Sequence, residues 1–300
     1  PRPRHHPGRG VHLMTRVAIV AHHLKDDARK AAMTAAAWLS DHGHTAWMPR
    51  DDATRLDLPE LAGDEPPETA DLVLSLGGDG TMLRAVGLLN GAPVPLLGVN
   101  LGRLGYLTEV EVDGLLDALQ RFVAGPDAGG WHLDRRMMLD VDVRDGDGTP
   151  RGKWCALNEA VVEKRTSGQT VQLQVLIDGE PFTSYAADGL IVSTPTGSTA
   201  YSFSARGPVV SPKHRAVLVT PVAPHMLFDR SLVLDPSETV EIQVRGDRQA
   251  AVVIDGHSRC QLSTGAIVRC EPSASTADFV RFRGRHYHQV LKAKFGLTDR

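Results

Sequence analysis

The stretch Leu72-Val73-Leu74-Ser75-Leu76-Gly77-Gly78-Asp79-Gly80-Thr81 decides the reading of this chain, because an apolar run feeds directly into three glycines set around a carboxylate. An apolar run ending in glycine is the pattern of a buried parallel strand whose carboxyl end opens onto a ligand crevice. Without Cβ atoms, the backbone N–H groups of Gly77, Gly78 and Gly80 can approach a phosphate closely. Residues 81–89, led by Thr81, then have the pattern of a helix whose N-terminal dipole favours an anion. Asp79 would repel that anion. A carboxylate here either accepts a proton from a hydroxyl, or holds a metal ion, or simply caps the helix.

Working outward, residues 17–20 form a short apolar strand candidate and residues 26–41 an Ala-rich amphipathic helix that Gly43 is placed to end. A second strand is expected over 45–48, and the Pro-, Asp- and Glu-rich stretch 49–69 reads as an exposed loop or lid. Residues 95–99 repeat the buried-strand pattern and lead into a second glycine-rich loop, 100–109, followed by a helix over 112–123. Alternation of strand and helix predicts a parallel sheet covered by helices. From Trp131 the texture changes to period-two alternation, as in 138–143, 171–177, 239–244 and 251–254, with Asp145-Gly146, Asp178-Gly179 and Asp255-Gly256 placed for turns.

The expected fold is therefore an α/β N-terminal nucleotide-binding domain with a parallel sheet, over 15–127, and a C-terminal all-β, sandwich-like domain, over 128–276. Residues 277–300 are expected to return to the first domain, with Tyr287, Val290, Leu291 and Phe295 at helical spacing. Residues 1–14 read as a disordered extension, with Met14 a candidate natural start.

Three hundred residues with 42% apolar content suit two folded domains. A net charge of −3 provides no basic field for nucleic acid or a membrane surface. Cys155, Cys260 and Cys270 are widely spaced, which argues against a disulfide framework or a zinc site and points to a reducing, cytoplasmic compartment. The histidines show no ligand spacing, and no metal ligand is assigned.

Two further segments carry chemistry. Residues 187–202 run from a strand into a turn rich in hydroxyls and free N–H groups, suited to ribose and phosphate; as a structural feature the same turn would only cap a helix. Asn158 and Glu159 pair an amide with a carboxylate, which fits the vicinal hydroxyls of a ribose or, alone, a solvated strand end.

Together GGDGT at 77–81, GVNLGRLGYLTE at 98–109, ALNE at 156–159 and DGLIVSTPTGSTAYS at 188–202 resemble the NAD kinase family over nearly the whole chain from Arg16. The first motif also occurs in diacylglycerol and sphingoid-base kinases; the last narrows the choice. The resemblance implies phosphorylation of the adenosine ribose 2′-hydroxyl of NAD to give NADP, with ATP or polyphosphate as donor and Mg²⁺ as donor-associated cation. It implies Asp79 as general base, phosphate contacts from Gly77, Gly78, Gly80 and Thr81, and a basic contact from Arg84 near the dinucleotide phosphates. Asn158 and Glu159 would bind NAD through ribose, Asp188 would lie on the nicotinamide side, and Tyr106 would wall the adenine pocket. The NAD-lining turn would comprise Thr196, Ser198, Thr199, Ala200, Tyr201, Ser202 and Ser204. Ala186 stands where some relatives carry a basic residue, and Arg206 where the family commonly has glycine. A homodimer or homotetramer is implied as well. A lipid kinase and a non-catalytic NAD(P) sensor are the alternatives; the first would need a membrane-facing surface, and the second would have little use for Asp79.

Overall fold

The computed structural model describes residues 14–22, 26–102, 105–282 and 287–297, so the extension expected at the N-terminus falls almost wholly outside the described residues. The first domain begins with strand β1 (Arg16–Ala21), helix α1 (Asp26–Asp41), β2 (Thr45–Pro49), helix α2 (Arg50–Arg55) and the short β3 (Ala62–Gly63). It continues with β4 (Leu72–Gly77), α3 (Asp79–Leu89), β5 (Leu96–Asn100), β6 (Val110–Glu111), α4 (Leu115–Val123) and α5 (Gly125–Gly129). Strands β5, β4, β1 and β2 lie side by side and parallel, as the alternation predicts. Residues of β4 and β5 are buried throughout, because helices cover both faces of the sheet. Helix α1 seats on it through Ala28, Ala31, Ala32, Ala35 and Leu39, a stripe at helical spacing whose small side chains allow close approach.

Residues 49–69 are not the loose lid that their composition suggests. Helix α2 buries Asp52 and Ala53, and Leu56 and Leu58 follow into the same core. Their apolar groups are too few to show as periodicity in a Pro- and Asp-rich stretch, yet three of them, Ala53, Leu56 and Leu58, reach the core.

The second domain contains β7 (Trp131–Arg144), β8 (Pro150–Ala156), β9 (Glu159–Lys164), β10 (Val171–Ile177), β11 (Glu180–Ala187), β12 (Gly189–Ser193), the single turn α6 (Tyr201–Ser204) and β13 (Val217–Val222). After these come β14 (Leu232–Leu234), β15 (Val240–Arg245), β16 (Ala250–Ile254), β17 (His257–Leu262), β18 (Ile267–Phe282) and helix α7 (Tyr287–Lys294). A six-stranded antiparallel sheet, in the order β14-β13-β12-β9-β16-β17, shares one apolar core with strands β7, β10, β15 and β18 of the other sheet. This is the expected sandwich. The Asp178-Gly179 and Asp255-Gly256 turns both take positive φ at both residues, as tight hairpins require.

Strand β18 changes the expected boundary. It runs through position 276 without ending, pairs with β7 from Ile267↔Arg144 to Phe282↔Trp131, and meets β5 in parallel at Phe279↔Leu96. The two domains thus share one continuous twelve-stranded sheet, and the β7–β18 ribbon is its spine. Among the described residues, no helix is long and apolar enough to cross a membrane.

Candidate active site

Asp79 opens α3, but its carboxylate does not cap that helix; the N-cap is Gly78, which has no side chain to do so. The carboxylate instead turns to the second glycine-rich loop. Its Oδ1 accepts the Leu107 N–H and its Oδ2 the Tyr106 N–H, both at 2.9 Å. Gly105 makes this possible, since a Cβ there would lie 2.2 Å from Asp79 Oδ1. Over the backbone of Gly78 and Gly80 the space is open, with nothing within 4 Å of an added Cβ. A fixed carboxylate beside open backbone has the arrangement for taking a proton from a hydroxyl next to a phosphate.

Arg84, the sequence candidate for the phosphates, is otherwise engaged. Its guanidinium forks onto Asp52 at 2.5 and 2.7 Å and donates to the Ala21 carbonyl at 2.6 Å. The cation beside Asp79 is Lys294, from α7, with Nζ 3.7 Å from Oδ2 and 4.2 Å from the centre of the Tyr106 ring. Sequence reasoning missed it, and the only signal was a Lys next to the helical stripe of the last segment.

The second and third motifs meet at the backbone. Thr194 Oγ1 donates to the Leu157 carbonyl at 2.6 Å, and the Thr194 N–H donates to the Asn158 carbonyl at 2.9 Å. Gly197 comes so close to Asn158 that a Cβ would lie 2.1 Å from its carbonyl oxygen. Beneath them Asp255 accepts three N–H groups, from Leu157 and Asn158 at 2.8 Å and from Glu159 at 3.0 Å. Sequence reading saw Asp255 only as a turn residue. Glu159 is 6% exposed, and its Oε2 is buried with no hydrogen-bond partner. Burial, assisted by the charge of Asp255 and opposed by the Tyr201 N–H, pushes its carboxyl up to about 8. Glu159 is therefore largely protonated at neutral pH and offers a ligand hydroxyl either a donor or an acceptor.

The remaining candidates divide by what their side chains touch. Ser198 Oγ donates to the Val210 carbonyl at 3.1 Å and accepts its N–H at 3.0 Å, and Ser202 Oγ is 3.1 Å from Thr220 Oγ1. Both hydroxyls are spent on holding the turn. Thr196 Oγ1 is 3.5 Å from Arg136 Nη1, and Thr199 Oγ1 is 3.5 Å from the Thr196 carbonyl. Tyr201 and Ser204 are exposed and Ala200 is half-buried beside them. Asp188 accepts from Lys164 Nζ at 2.5 Å, and Ala186, on β11, gives its carbonyl to the His225 N–H at 2.8 Å.

A buried charge chain ties the Asp79 loop to this turn. Arg281 donates to the carbonyls of Leu107 and Thr108 and to Glu109 at 2.9 to 3.2 Å. Its Nε lies 3.5 Å from Asp134, which pairs at 2.5 Å with Arg136, the neighbour of Thr196.

Known proteins resemble this chain in sequence and fold. The ATP-NAD kinase N-terminal domain model matches residues 17–127 and the ATP-NAD kinase C-terminal domain model residues 157–282. The chain belongs to the NAD kinase family. Its relatives include the NAD kinase of Corynebacterium diphtheriae, 38% identical over 296 residues that cover 95% of this chain and 92% of that protein. The NAD kinase of Gemmatimonas aurantiaca is 42% identical over 229 residues, 75% of this chain and 77% of that one. Among solved structures, yeast NADH kinase complexed with NADH superposes with a TM-score of 0.85 at 26% identity, over 96% of this chain and 89% of that one. An NAD kinase from Archaeoglobus fulgidus in complex with ATP gives 0.71 at 26% identity, over 95% and 100%. The Asn158-Glu159 pair and the turn after β12 pack directly on each other, and the Arg281, Asp134 and Arg136 chain links them to the loop that holds Asp79. Among the described residues no group of three His, Cys, Asp or Glu side chains could hold a metal ion.

Proposed function

We propose that this chain transfers the terminal phosphoryl group of ATP to the 2′-hydroxyl of the adenosine ribose of NAD, giving NADP, with Asp79 as general base. The observation that carries this reading is the Asp79 carboxylate, held by two N–H groups of the opposite loop rather than capping its own helix. So held, it needs no reorganisation to take the hydroxyl proton. The unpartnered Glu159 Oε2, beside Asn158, supports ribose binding on the acceptor side. Magnesium enters with the nucleotide as part of the donor substrate, and polyphosphate is a second donor to assay. Asp188, with Lys164 beside it, belongs on the nicotinamide side, and Tyr106 walls the adenine pocket.

A homodimer or homotetramer belongs to the same reading, and the exposed rings of Phe182 and Phe228, in edge contact at 5.8 Å, support a protein surface there. Three cysteines without a disulfide partner support a reducing, cytoplasmic compartment.

The test is NADP formation from NAD, ATP and Mg²⁺, read through an NADP-specific dehydrogenase, with Asp79→Asn run beside the parent. NADP from the parent alone, with NAD binding by calorimetry kept in both, supports the kinase and its base. Binding without turnover in the parent would leave a dinucleotide sensor.

A further inference from the structure

Beside Asp79 stands a cation, Lys294, that none of the four sequence motifs contains. Each Asp79 oxygen accepts one backbone N–H and keeps a second lone pair for a hydroxyl proton, and the ammonium of Lys294 stands beside them. At 3.7 Å from Oδ2 it is also beyond hydrogen-bond length, and it rests against the face of Tyr106. A lysine stem of four carbons can swing from there without moving the backbone.

The helix that carries it is anchored by ring contacts near both of its ends. The Tyr287 ring lies 6.2 Å from that of Tyr106, on the Asp79 side. Phe295 lies 5.0 Å from Phe203, one residue past Ser202 in the acceptor-side turn, and Val290 is buried between. Helix α7 thus spans from the proposed base to the proposed acceptor turn. The open space over Gly78 and Gly80 is where a phosphoryl group would enter, and it would bring negative charge next to Asp79. Arg84 is committed to Asp52 and cannot offset that charge without breaking a buried pair.

We propose that Lys294 is a catalytic residue of the phosphoryl transfer, its ammonium passing from Asp79 to the oxygens of the transferring phosphoryl group. This rests on the reading of Asp79 as base. The bond from the ribose 2′-oxygen to phosphorus forms as the bond from phosphorus to ADP breaks. The hydroxyl proton goes to Asp79, ADP leaves with the bonding pair, and Lys294 keeps its protons throughout. Its fixed charge lets base and donor share one small volume.

Lys294→Met keeps the apolar stem against Tyr106 and removes the charge, while Lys294→Arg keeps the charge. Steady-state rates with NAD and ATP·Mg²⁺ are expected to fall about a hundredfold in kcat for Lys294→Met, with the larger KM change for ATP. Lys294→Arg is expected to restore most of that loss, and the Kd for NAD, by calorimetry, to stay within about twofold in both. A Lys294→Met loss smaller than about tenfold overturns the assignment. So does an equal loss in Lys294→Arg, or a loss explained by weaker NAD binding, either of which makes α7 a structural strap. A parent that makes no NADP overturns the kinase reading itself; a parent that turns over beside an unimpaired Lys294→Met removes the lysine alone.

Discussion

Asp255 accepts the backbone N–H of Glu159 at 3.0 Å while its charge opposes ionisation of the Glu159 side chain. One buried carboxylate thus builds the turn that presents a second, whose carboxyl is raised chiefly by burial and further by the charge of the first. Burial raises Asp255 itself, against the pull of its three N–H donors and of His257.

A pH dependence follows for stability. Glu159 stands at about 8 in the fold against an ordinary value of 4.5. Because the folded value is the higher, its contribution is fully present below 4.5 and is lost as pH rises toward about 8. Each pKa unit is worth about 1.4 kcal/mol, so the loss reaches several kcal/mol at most. Urea unfolding from pH 5 to 8 is expected to show the parent weakening relative to Glu159→Gln; parallel curves would mean that Glu159 is already ionised in the fold.

Gly105 is expected to tolerate no side chain where it passes Asp79. Gly105→Ala places a Cβ 2.2 Å from Oδ1 and must push the base or the loop aside. A displacement near 1 Å costs on the order of a hundredfold in rate. The expected outcome is a large loss of kcat with NAD affinity and far-UV circular dichroism unchanged; full activity would show that Asp79 need not be held in place.

The Arg281–Glu109 pair ties the Leu107 loop to the β7–β18 ribbon, and both side chains are nearly buried, at 12% and 4% exposure. Arg281→Met takes the guanidinium from both Glu109 and Asp134 and is expected to destabilise the fold. Thermal unfolding should show this as a marked drop in the midpoint. A change under about 1 kcal/mol would mean that water reaches Glu109.

Arg206 takes a φ of 67°, in the left-handed region that glycine adopts without cost. It follows α6, where Gly207 returns its N–H to the Ser202 carbonyl at 2.7 Å, a helix ending that favours glycine. This is the physical reason to expect glycine at this position. Arg206→Gly is expected to raise stability by up to about 1 kcal/mol, net of the extra entropy of glycine in the unfolded chain. Differential scanning calorimetry reads it, and a lowered midpoint would show that the arginine side chain makes a contact worth more than the strain.

Much of this protein is legible in local sequence. Apolar strands punctuated by glycine determine the parallel sheet, period-two alternation determines the sandwich, and four motifs carry the family resemblance. These signals are readable because hydrophobic period and turn chemistry act over a few residues. What lay beyond reach was set by partners distant in the chain. Arg84 looks like a phosphate ligand until Asp52 folds against it. Ser198 and Ser202 look like ligand hydroxyls until Val210 and Thr220 satisfy them. Asp255 looks like a turn residue until three N–H groups from residues 157–159 close on it. The return of the last segment to the first domain was legible, but not that one strand, β18, makes it by pairing on across position 276, because pairing is chosen by the edges available after collapse. Local pattern determined which segments carry the family's motifs; only long-range packing decided which of their side chains are spent on structure, as Arg84, Ser198 and Ser202 are, and which keep a free acceptor, as Glu159 does.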